Sequence, residues 1–458
     1  MRLPKDERDA MLQNRRRSQG EYYALFKSKR KNKVFLCFCI GFILSGILAI
    51  SAYLLSYGMW RMYIEDGSDR NFTTLTFPTV PETTVLDSTT STIPEAVCQR
   101  RVVGYWSHWS GGTLANIQLD SLTHIVYMFV FIQNDGSVRV DNGNDPQLEK
   151  RFLEMNNSSR VARKKGLKVM LAVGGHFSSA TFASTLADSR KKEKLLTSTI
   201  DLLDKYDIDG IEVHWTFPSA KDSIPHAEFI KEVRNRMRNL KKANGRSEDY
   251  VLSTVTSRNK QRRENILYNE VMKYVDFVSV LPYDWRSLSS VGPITPLYSY
   301  DENSVDEAIR DLTCKTRMSS KLNLGVSIFG IHWNNVSFPL NDNLKQMYVP
   351  NDGGMDNFSF VYGNSNPGAW INTEPSWHNM SRTPYIWDAK ERIFASFENV
   401  RSIEEKSSYA WMKNLGGITV YVLEYDNNNT MLDAVSSDEK CLGFKKNSVQ
   451  FDCSDGRH

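Results

Sequence analysis

The sequence predicts an α/β fold, a closed (β/α)8 or TIM barrel, because eight apolar segments alternate with helical ones from Arg101 onward. The chain of 458 residues is 41% hydrophobic, which suffices for one large core with appendages. The predicted strands are Val102–Trp106, His124–Phe131, Lys168–Val173, Gly210–Trp215, Tyr250–Val255, Asp276–Leu281, Asn323–Phe329 and Gly417–Leu423. The predicted helices between them include Asp145–Lys165, Ser184–Tyr206, His226–Lys242, Val305–Arg317 and Ser402–Asn414.

An insertion is predicted between the last two strands. The segment of about 331–400 is far too long for one connection between neighbouring barrel strands. It is rich in Trp, Asn, Pro and Gly, so we expect a small α+β insertion that flanks one edge of the barrel mouth. The barrel with its insertion is assigned to residues 98–440, and residues 441–458 to a C-terminal tail.

The basic character of the chain belongs to its first segment. Residues 1–33 contain eleven Lys and Arg against four Asp and Glu, a net charge of +7. Because the whole chain carries +4, the remaining residues carry −3 (+4 less +7). This distribution argues against nucleic-acid binding by the barrel.

Residues 34–60 contain no charged side chain and are rich in Phe, Leu and Ile. Since about 20 apolar residues cross a bilayer, this segment predicts a single transmembrane helix that acts as an uncleaved signal-anchor. The excess of Lys and Arg before it predicts that residues 1–33 are a cytoplasmic tail. We therefore expect a single-pass type II membrane protein whose barrel is lumenal or extracellular.

Residues 61–97 are rich in Thr, Ser and Pro, with few large apolar side chains, and predict an extended, O-glycosylated stalk. The chain also contains acceptor motifs for N-glycosylation, as expected for a glycoprotein of the secretory route. These motifs begin at Asn71, Asn156, Asn157, Asn335, Asn357, Asn379 and Asn428.

Four cysteines lie outside the predicted membrane span: Cys98, Cys314, Cys441 and Cys453. An even number in an oxidising compartment predicts two disulfides, with three connectivities open. Cys441 with Cys453 closes the shortest loop, which gives that pairing a weak preference. No Cys or His spacing is typical of a metal site, so no metal and no cofactor are predicted.

The predicted strand Gly210–Trp215 carries an unusual row of polar residues. Because side chains on a strand alternate between its faces, Glu212, His214 and Thr216 point the same way. Such a row suits a ligand site at the mouth of a barrel. A polar ladder whose hydrogen bonds are satisfied inside the barrel explains it equally well.

Several motifs recur in the order expected for one family. They are Val102–Trp109, Thr123–Phe129, Leu171–Gly175, Tyr283–Asp284, Pro296–Tyr298 and Leu415–Gly417. On these residues the chain resembles glycoside hydrolase family 18, the chitinase group, from Cys98 to Asn427. Its anchor and stalk resemble those of membrane-anchored nematode chitinase-like proteins. The resemblance implies a TIM barrel related to enzymes that cleave β-1,4-linked N-acetylglucosamine.

The family's strand-four motif, Asp-Gly-x-Asp-x-Asp-x-Glu, is degenerate here. Its four acidic positions correspond to Asp209, Glu212, His214 and Thr216. In the family the Glu protonates the leaving oxygen, and the third Asp orients the acetamido group that attacks as an internal nucleophile. A Thr hydroxyl cannot act as a general acid, and an imidazole cannot replace the orienting carboxylate. The resemblance therefore implies no hydrolysis by the family mechanism, and no catalytic residue is assigned.

His214 has two interpretations. It is the one residue of this strand that could replace the missing acid, because Glu212 lies about 13 Å from Thr216 along the strand. The favoured interpretation is a hydrogen bond between His214 and Glu212 that satisfies both polar groups inside the barrel.

The candidate ligand-binding residues follow from the family's sugar-binding surface. Trp109 keeps one of the stacking tryptophans, and Tyr283 matches the tyrosine that supports the acetamido group. His176 and Tyr421 stand where the family usually has tryptophan. The candidate set is Tyr105, Trp109, Tyr283, Asp284 and Tyr421.

The leading hypothesis is a membrane-anchored, non-hydrolytic chitinase-like protein that binds chitin or other glycans containing N-acetylglucosamine. One alternative is an interaction or structural protein whose barrel binds no sugar. A second alternative is a weak glycosidase that uses His214 as its acid.

Overall fold

The computed structural model describes residues 100–109, 114, 117–141, 146–176, 178–283, 290–299, 303–336, 349–350, 358–360, 374–426, 429–436 and 450–454. All of these residues belong to one compact unit, Pro94–His458. The predicted tail, anchor and stalk (1–33, 34–60 and 61–97) lie outside the described residues. Within the described part, no helix has the length and apolar character needed to cross a membrane.

Eight parallel strands form the barrel. They are β1 (Arg101–Ser107), β2 (His124–Ile132), β3 (Lys168–Gly174), β4 (Gly210–His214), β5 (Val251–Ser257), β6 (Phe277–Leu281), β7 (Leu322–Ser327) and β8 (Gly417–Tyr421). Each strand pairs with the next in the chain, and β8 pairs with β1, which closes the ring. The eight strands predicted from the sequence are confirmed, with ends that shift by one or two residues.

Helices cover the outside of the barrel. They are α1 (Pro146–Ser158), α2 (Arg160–Lys164), α3 (Ser179–Leu186), α4 (Ser189–Lys205), α5 (Ser223–Ala243), α6 (Lys260–Arg263), α7 (Tyr268–Val271), α8 (Val305–Thr316), α9 (Val400–Met412) and α10 (Thr430–Ser436). Short 3-10 turns occur at Leu119–Ser121, Ala220–Asp222, Ser319–Lys321 and Leu423–Tyr425. Side chains cap several helices: the Asp188 carboxylate accepts two backbone N–H groups at the start of α4.

The strands separate two apolar layers. Ile211, Val213 and Trp215 belong to the outer layer between strands and helices, where the Trp215 ring stacks on Phe182 of α3 with centroids 4.8 Å apart. The inner layer fills the barrel and includes Val103, Val126, Met128, Met170 and Phe277. Because side chains alternate along β4, the outward Ile211, Val213 and Trp215 leave Glu212 and His214 facing the interior.

Three glycines fix β4 against its neighbours. A Cβ on Gly210 would lie 2.4 Å from the Val251 carbonyl oxygen, so the close approach of β4 to β5 requires glycine there. At the end of β3, Gly174 and Gly175 have φ angles of 112° and 109°, which L-residues with side chains rarely adopt. This turn brings the backbone N–H of Gly175 to the His214 carbonyl oxygen at 2.9 Å.

The insertion between β7 and α9 contains an antiparallel sheet. Its strands, in spatial order, are Phe358–Phe360, Gly330–Trp333, Ile393–Ser396, Thr383–Asp388 and Ser376–His378. A second pairing joins Val349–Pro350 to Ser290–Val291, which follows β6. The sequence predicts an α+β insertion at about 331–400; the part of it that is described contains strands and no helix.

The weak preference for a Cys441–Cys453 disulfide is wrong, because Cys453 pairs with Cys314 of α8. Loop length favours the short ring, but the fold decides which sulfur atoms meet. Phe451, two residues before Cys453, packs on the Lys413 side chain after α9. The remaining pair, Cys98 and Cys441, lies outside the described residues, and its disulfide stays a prediction.

Candidate functional site

The centre of the site is a buried carboxylate that accepts hydrogen bonds from three different side chains. The Tyr105 hydroxyl lies 2.7 and 2.8 Å from the two Glu212 oxygens. The Ser253 hydroxyl donates to Glu212 Oε2 at 3.2 Å, and His214 Nδ1 lies 2.8 Å from Oε1. Glu212 is completely buried. The predicted hydrogen bond between Glu212 and His214 is therefore present, with Tyr105 and Ser253 as further partners.

The His214 ring is enclosed by aromatic side chains. The edge of Phe129 lies against it with centroids 4.7 Å apart, and Tyr105 approaches at 6.1 Å. Because the Glu212 oxygen faces Nδ1, a hydrogen on Nδ1 completes that contact and leaves Nε2 as the other ring nitrogen. Among the described residues, no side chain or backbone group hydrogen-bonds Nε2. This is the orientation in which a carboxylate holds a histidine for proton transfer.

Thr216, two residues beyond the end of β4, is the last residue of the predicted polar row. The residue is 6% exposed, and its Oγ1 atom makes no hydrogen bond with any described residue. A hydroxyl that is buried without a partner costs free energy unless a ligand or water satisfies it. Thr216 therefore gives the site one available hydrogen-bonding group and no acid.

Aromatic rings form the floor of the mouth where β6, β7 and β8 end. Tyr283 and Tyr421 lie with centroids 4.9 Å apart, and Phe329 lies 5.4 and 5.9 Å from these two rings. Tyr105 lies 5.6 Å from Tyr421. Three of the five predicted ligand-binding residues, Tyr105, Tyr283 and Tyr421, are thus in one cluster.

The other predicted residues lie elsewhere. Trp109 follows β1, is 45% exposed, and has its ring 6.0 Å from Phe129. Asp209 is at the opposite end of the barrel, where it accepts hydrogen bonds from the Val169 N–H and from Arg246. Asp209 therefore ties the amino end of β4 to its surroundings and does not face the mouth. Asp284 lies outside the described residues, so its position stays a prediction.

Burial raises the pKa of the tyrosines in this cluster. The pKa of Tyr105 is well above its ordinary value because of burial and then the nearby Glu212 carboxylate. Burial and the neighbouring Tyr421 act in the same direction on the pKa of Tyr283. Both phenols stay protonated at physiological pH, so they serve as donors and as apolar surface. No group of three or more metal-ligating side chains occurs among the described residues.

Sequence reasoning missed three residues of the site. Ser253 lies directly opposite Glu212 in the pairing of β4 with β5. Its inward position on a predicted strand was the available signal. Phe129 and Phe329 come from strands that read as ordinary barrel core, and nothing in their sequence context separates them from packing residues.

Behind β4, a buried histidine makes the fold sensitive to acid. His226 of α5 is fully buried beside Trp215, and neither ring nitrogen has a hydrogen-bond partner among the residues described. Burial lowers the pKa of His226 from 6.5 to about 4, against a smaller opposing effect of Asp222. Since the unfolded chain binds the proton more readily, stability is complete above pH 6.5 and falls as the pH drops towards 4.

We expect this histidine to cost roughly 3 kcal/mol of folding free energy at pH 4 relative to pH 7. His226→Leu should remove that part of the pH dependence, measured by urea unfolding across pH 4–7. Burial lowers the pKa of His124 to about 3, so His124 adds to the acid sensitivity in the same direction. An unchanged pH profile in His226→Leu would contradict the assignment.

Comparison with known proteins identifies the family of this chain. The family model described as glycosyl hydrolases family 18 matches residues 101–426. This range includes all eight barrel strands and the polar row Glu212, His214 and Thr216, here called the β4 row. The chain belongs to glycoside hydrolase family 18. Within that family it is a chitinase-like protein.

Chitinase A1 of Niallia circulans is 21% identical over 431 residues, which cover 75% of this chain and 59% of that protein. The chain thus spans well under two thirds of that relative's length. Among solved structures, a chitinase-like agglutinin from Robinia pseudoacacia aligns with a TM-score of 0.63 and 21% identity, over 73% of this chain and 98% of that one. A family 18 chitinase from Cycas revoluta in complex with (GlcNAc)3 aligns with a TM-score of 0.64 and 17% identity. The alignment covers 74% of this chain and 99% of that one.

Proposed function

We propose that this protein is a membrane-anchored, non-hydrolytic member of the family that binds glycans containing N-acetylglucosamine at the barrel mouth. The observation that carries the proposal is the state of the β4 row. The buried Glu212 carboxylate is hydrogen-bonded to the side chains of Tyr105, His214 and Ser253. The Thr216 hydroxyl, at the position proposed to match the family's acid, has no partner among the described residues.

The loss of turnover follows from side-chain chemistry. Glycosidic cleavage needs a group that can release and recover a proton near working pH, and a threonine hydroxyl cannot do so. Absence of general acid catalysis alone costs roughly 10²–10⁴-fold in rate. His214 in place of the orienting carboxylate removes the second working group as well.

Binding is supported by what remains at the mouth. Trp109 offers an exposed ring, and Tyr283 and Tyr421 form an aromatic cluster with Tyr105, whose ring also contacts His214. Two structural neighbours add support: one is a complex of a family 18 chitinase with (GlcNAc)3, and the other is named an agglutinin. Sugar faces stack on aromatic rings while hydroxyl and amide groups bond to polar side chains.

The full-length protein, purified in detergent, is expected to bind chitotetraose and to release no product from it. Trp109→Ala should weaken binding at least tenfold because the exposed ring loses its stacking contact. Titration calorimetry measures the affinity for chitotetraose. Chromatography of reducing ends measures any product released from it. Trp411→Ala is a matched control, since Trp411 lies on α9 against Arg100 and away from the mouth.

A second candidate function is protein interaction without sugar binding. It is favoured by His176 and Tyr421 at positions where the family usually has tryptophan, and by Phe329, which packs into the floor. In the same titration, no measurable binding of chitotetraose or other N-acetylglucosamine glycans would favour this candidate. Loss of a measured glycan affinity in Trp109→Ala would count against it.

A weak glycosidase is the third candidate, and the pairing of Glu212 with His214 Nδ1 favours it over other acids of the strand. It requires product release with a bell-shaped pH profile that disappears in His214→Ala. A flat absence of product over pH 4–8 excludes it.

The proposed setting is a type II membrane protein anchored through residues 34–60. The uncharged, apolar composition of that segment and the +7 charge of residues 1–33 support it. Protease added to sealed microsomes should spare the barrel and remove the first 33 residues. Protection of the N-terminus with digestion of the barrel would reverse the topology.

A further inference from the structure

Three of the seven N-glycosylation motifs lie wholly within the described residues, and their asparagines have different surroundings. These motifs begin at Asn156, Asn157 and Asn379, whereas each of the other four includes residues outside the part of the chain that the structure describes. A glycan is bulky and polar, so a folded protein carries it on an asparagine whose amide faces solvent. The contacts of the three amides therefore decide which of them is compatible with a glycan.

Asn156 of α1 faces neighbouring protein groups and not solvent. It is half-buried, and its Nδ2 atom donates a hydrogen bond to the carbonyl oxygen of Tyr206, after α4, at 3.2 Å. Arg163 Nη1 lies 3.5 Å from the Oδ1 atom of the same amide. A sugar on Nδ2 would replace one of its two hydrogens and would have to fit between α1 and Tyr206. A chain glycosylated at Asn156 therefore folds only if it gives up this contact.

Asn157, the next residue of α1, faces solvent. It is exposed, and its amide makes no hydrogen bond with any described residue. Leu153 and Val161, four residues before and after it, are 39% and 69% exposed. Between α1 and α2, Ser159 keeps a helical backbone with φ −77° and ψ −8°, so these three side chains share one helix face. A glycan on Asn157 would lie over the two exposed apolar side chains and reduce their contact with water.

Asn379 is exposed in the turn between the last two strands of the inserted sheet, in the spatial order given above. The Arg382 N–H donates to the His378 carbonyl oxygen at 2.9 Å and closes this turn. The Asn379 amide makes no hydrogen bond within the described structure. Ser381, by contrast, is 1% exposed, and its carbonyl oxygen accepts the Leu297 N–H at 2.8 Å. The turn therefore directs Asn379 outward and Ser381 inward.

The serines of the two exposed motifs are buried and hydrogen-bonded. The Ser159 hydroxyl donates to the Met155 carbonyl oxygen at 2.8 Å. The Ser381 hydroxyl lies 2.6 Å from Thr383 Oγ1. Because the acceptor motif requires its serine hydroxyl, sugar transfer at both sites must precede the folding that buries this group. The glycosylated asparagine then stays at the surface while its serine packs inside.

We propose that the folded protein carries N-linked glycans at Asn157 and Asn379 and none at Asn156. The donor is a lipid diphosphate oligosaccharide of the secretory route. The asparagine Nδ2 forms a bond to the anomeric carbon of the donor sugar and loses one proton. The bond from that carbon to the diphosphate oxygen breaks, and the lipid diphosphate leaves with the electron pair. The inference rests on the topology in the proposed function, because a lumenal barrel is needed to meet the transferase.

The test uses the full-length protein made in a eukaryotic cell with an intact secretory route. Peptide N-glycosidase in heavy-oxygen water converts each glycosylated asparagine into an isotope-marked aspartate. Fragmentation mass spectrometry then locates the marks on single residues. We expect marks on Asn157 and Asn379 and an unmarked Asn156.

Variants of α1 give a matched pair on denaturing gels. Ser158→Ala removes the Asn156 motif but keeps that of Asn157, so no glycan should be lost. Asn157→Gln keeps the Asn156 motif and should lose the mass of one glycan, as should Asn379→Gln.

Two results separate failure of this inference from failure of the topology. A mark on Asn156, or an unmarked Asn157 or Asn379 in protein whose barrel is protected in sealed microsomes, overturns the inference and leaves the topology standing. A barrel that is digested in microsomes and carries no marked asparagine overturns both.

Discussion

Glu212→Ala is expected to lower the free energy of unfolding by about 3 to 5 kcal/mol, because it leaves three buried donors without their acceptor. The Tyr105 and Ser253 hydroxyls and His214 Nδ1 all lose their partner in a region that water does not reach. The measurement is urea unfolding at pH 7, with the midpoint compared at an unchanged slope.

Two further variants separate the carboxylate from a general effect of truncation. Glu212→Gln keeps the shape and one acceptor oxygen but adds an amide donor, so an intermediate loss is expected. Glu264→Ala removes an exposed carboxylate that has no side-chain hydrogen bond in the described structure, and should change stability by less than about 0.5 kcal/mol. A Glu212→Ala loss as small as that of Glu264→Ala would mean that the three-donor arrangement does not stabilise the barrel.

The combined variant His214→Asp, Thr216→Glu is expected to release product from chitotetraose, at a rate about 10²–10⁴ times any wild-type signal. The glutamate restores a proton donor at the mouth. The aspartate restores a carboxylate that can orient the acetamido group, at a position that contacts Tyr105 of the aromatic cluster. Product release under initial-rate conditions is the measurement.

Each single substitution serves as the control, since neither restores both functions and each should stay near background. Folding of the combined variant is checked by its unfolding midpoint, because an aspartate beside Glu212 brings two carboxylates together. A folded variant that binds chitotetraose but does not cleave it would place a further defect in the mouth, outside β4. A folded variant that neither binds nor cleaves would favour the interaction candidate.

Strand and helix positions were predictable because their signals are local. The apolar runs that begin near Lys168 and Gly210 are short and uninterrupted, as buried parallel strands require. The helical periodicity of Val305–Thr316 and its Ser304 cap are equally local. The closed order of eight strands then follows from repeated βα units and the handedness rule.

The partners of the β4 row were only partly predictable. The Glu212–His214 hydrogen bond follows from their spacing on one face of a strand. Tyr105 and Ser253 join them from β1 and β5, and such contacts depend on barrel register, which periodicity does not give. The same limit applies to Cys314 and Cys453, which a tertiary packing of the tail brings together across 139 positions.

That disulfide also changes what a break in the chain can do. The covalent ring from Cys314 to Cys453 contains β7, the inserted sheet, α9, β8 and α10. A protease that cuts anywhere inside this ring opens it without producing a second molecule. The two pieces stay on one scaffold until a reductant reaches the bond, so the last two strands of the barrel remain tethered to the first six. In an oxidising compartment, a protease can therefore cut the insertion while all eight barrel strands stay covalently connected.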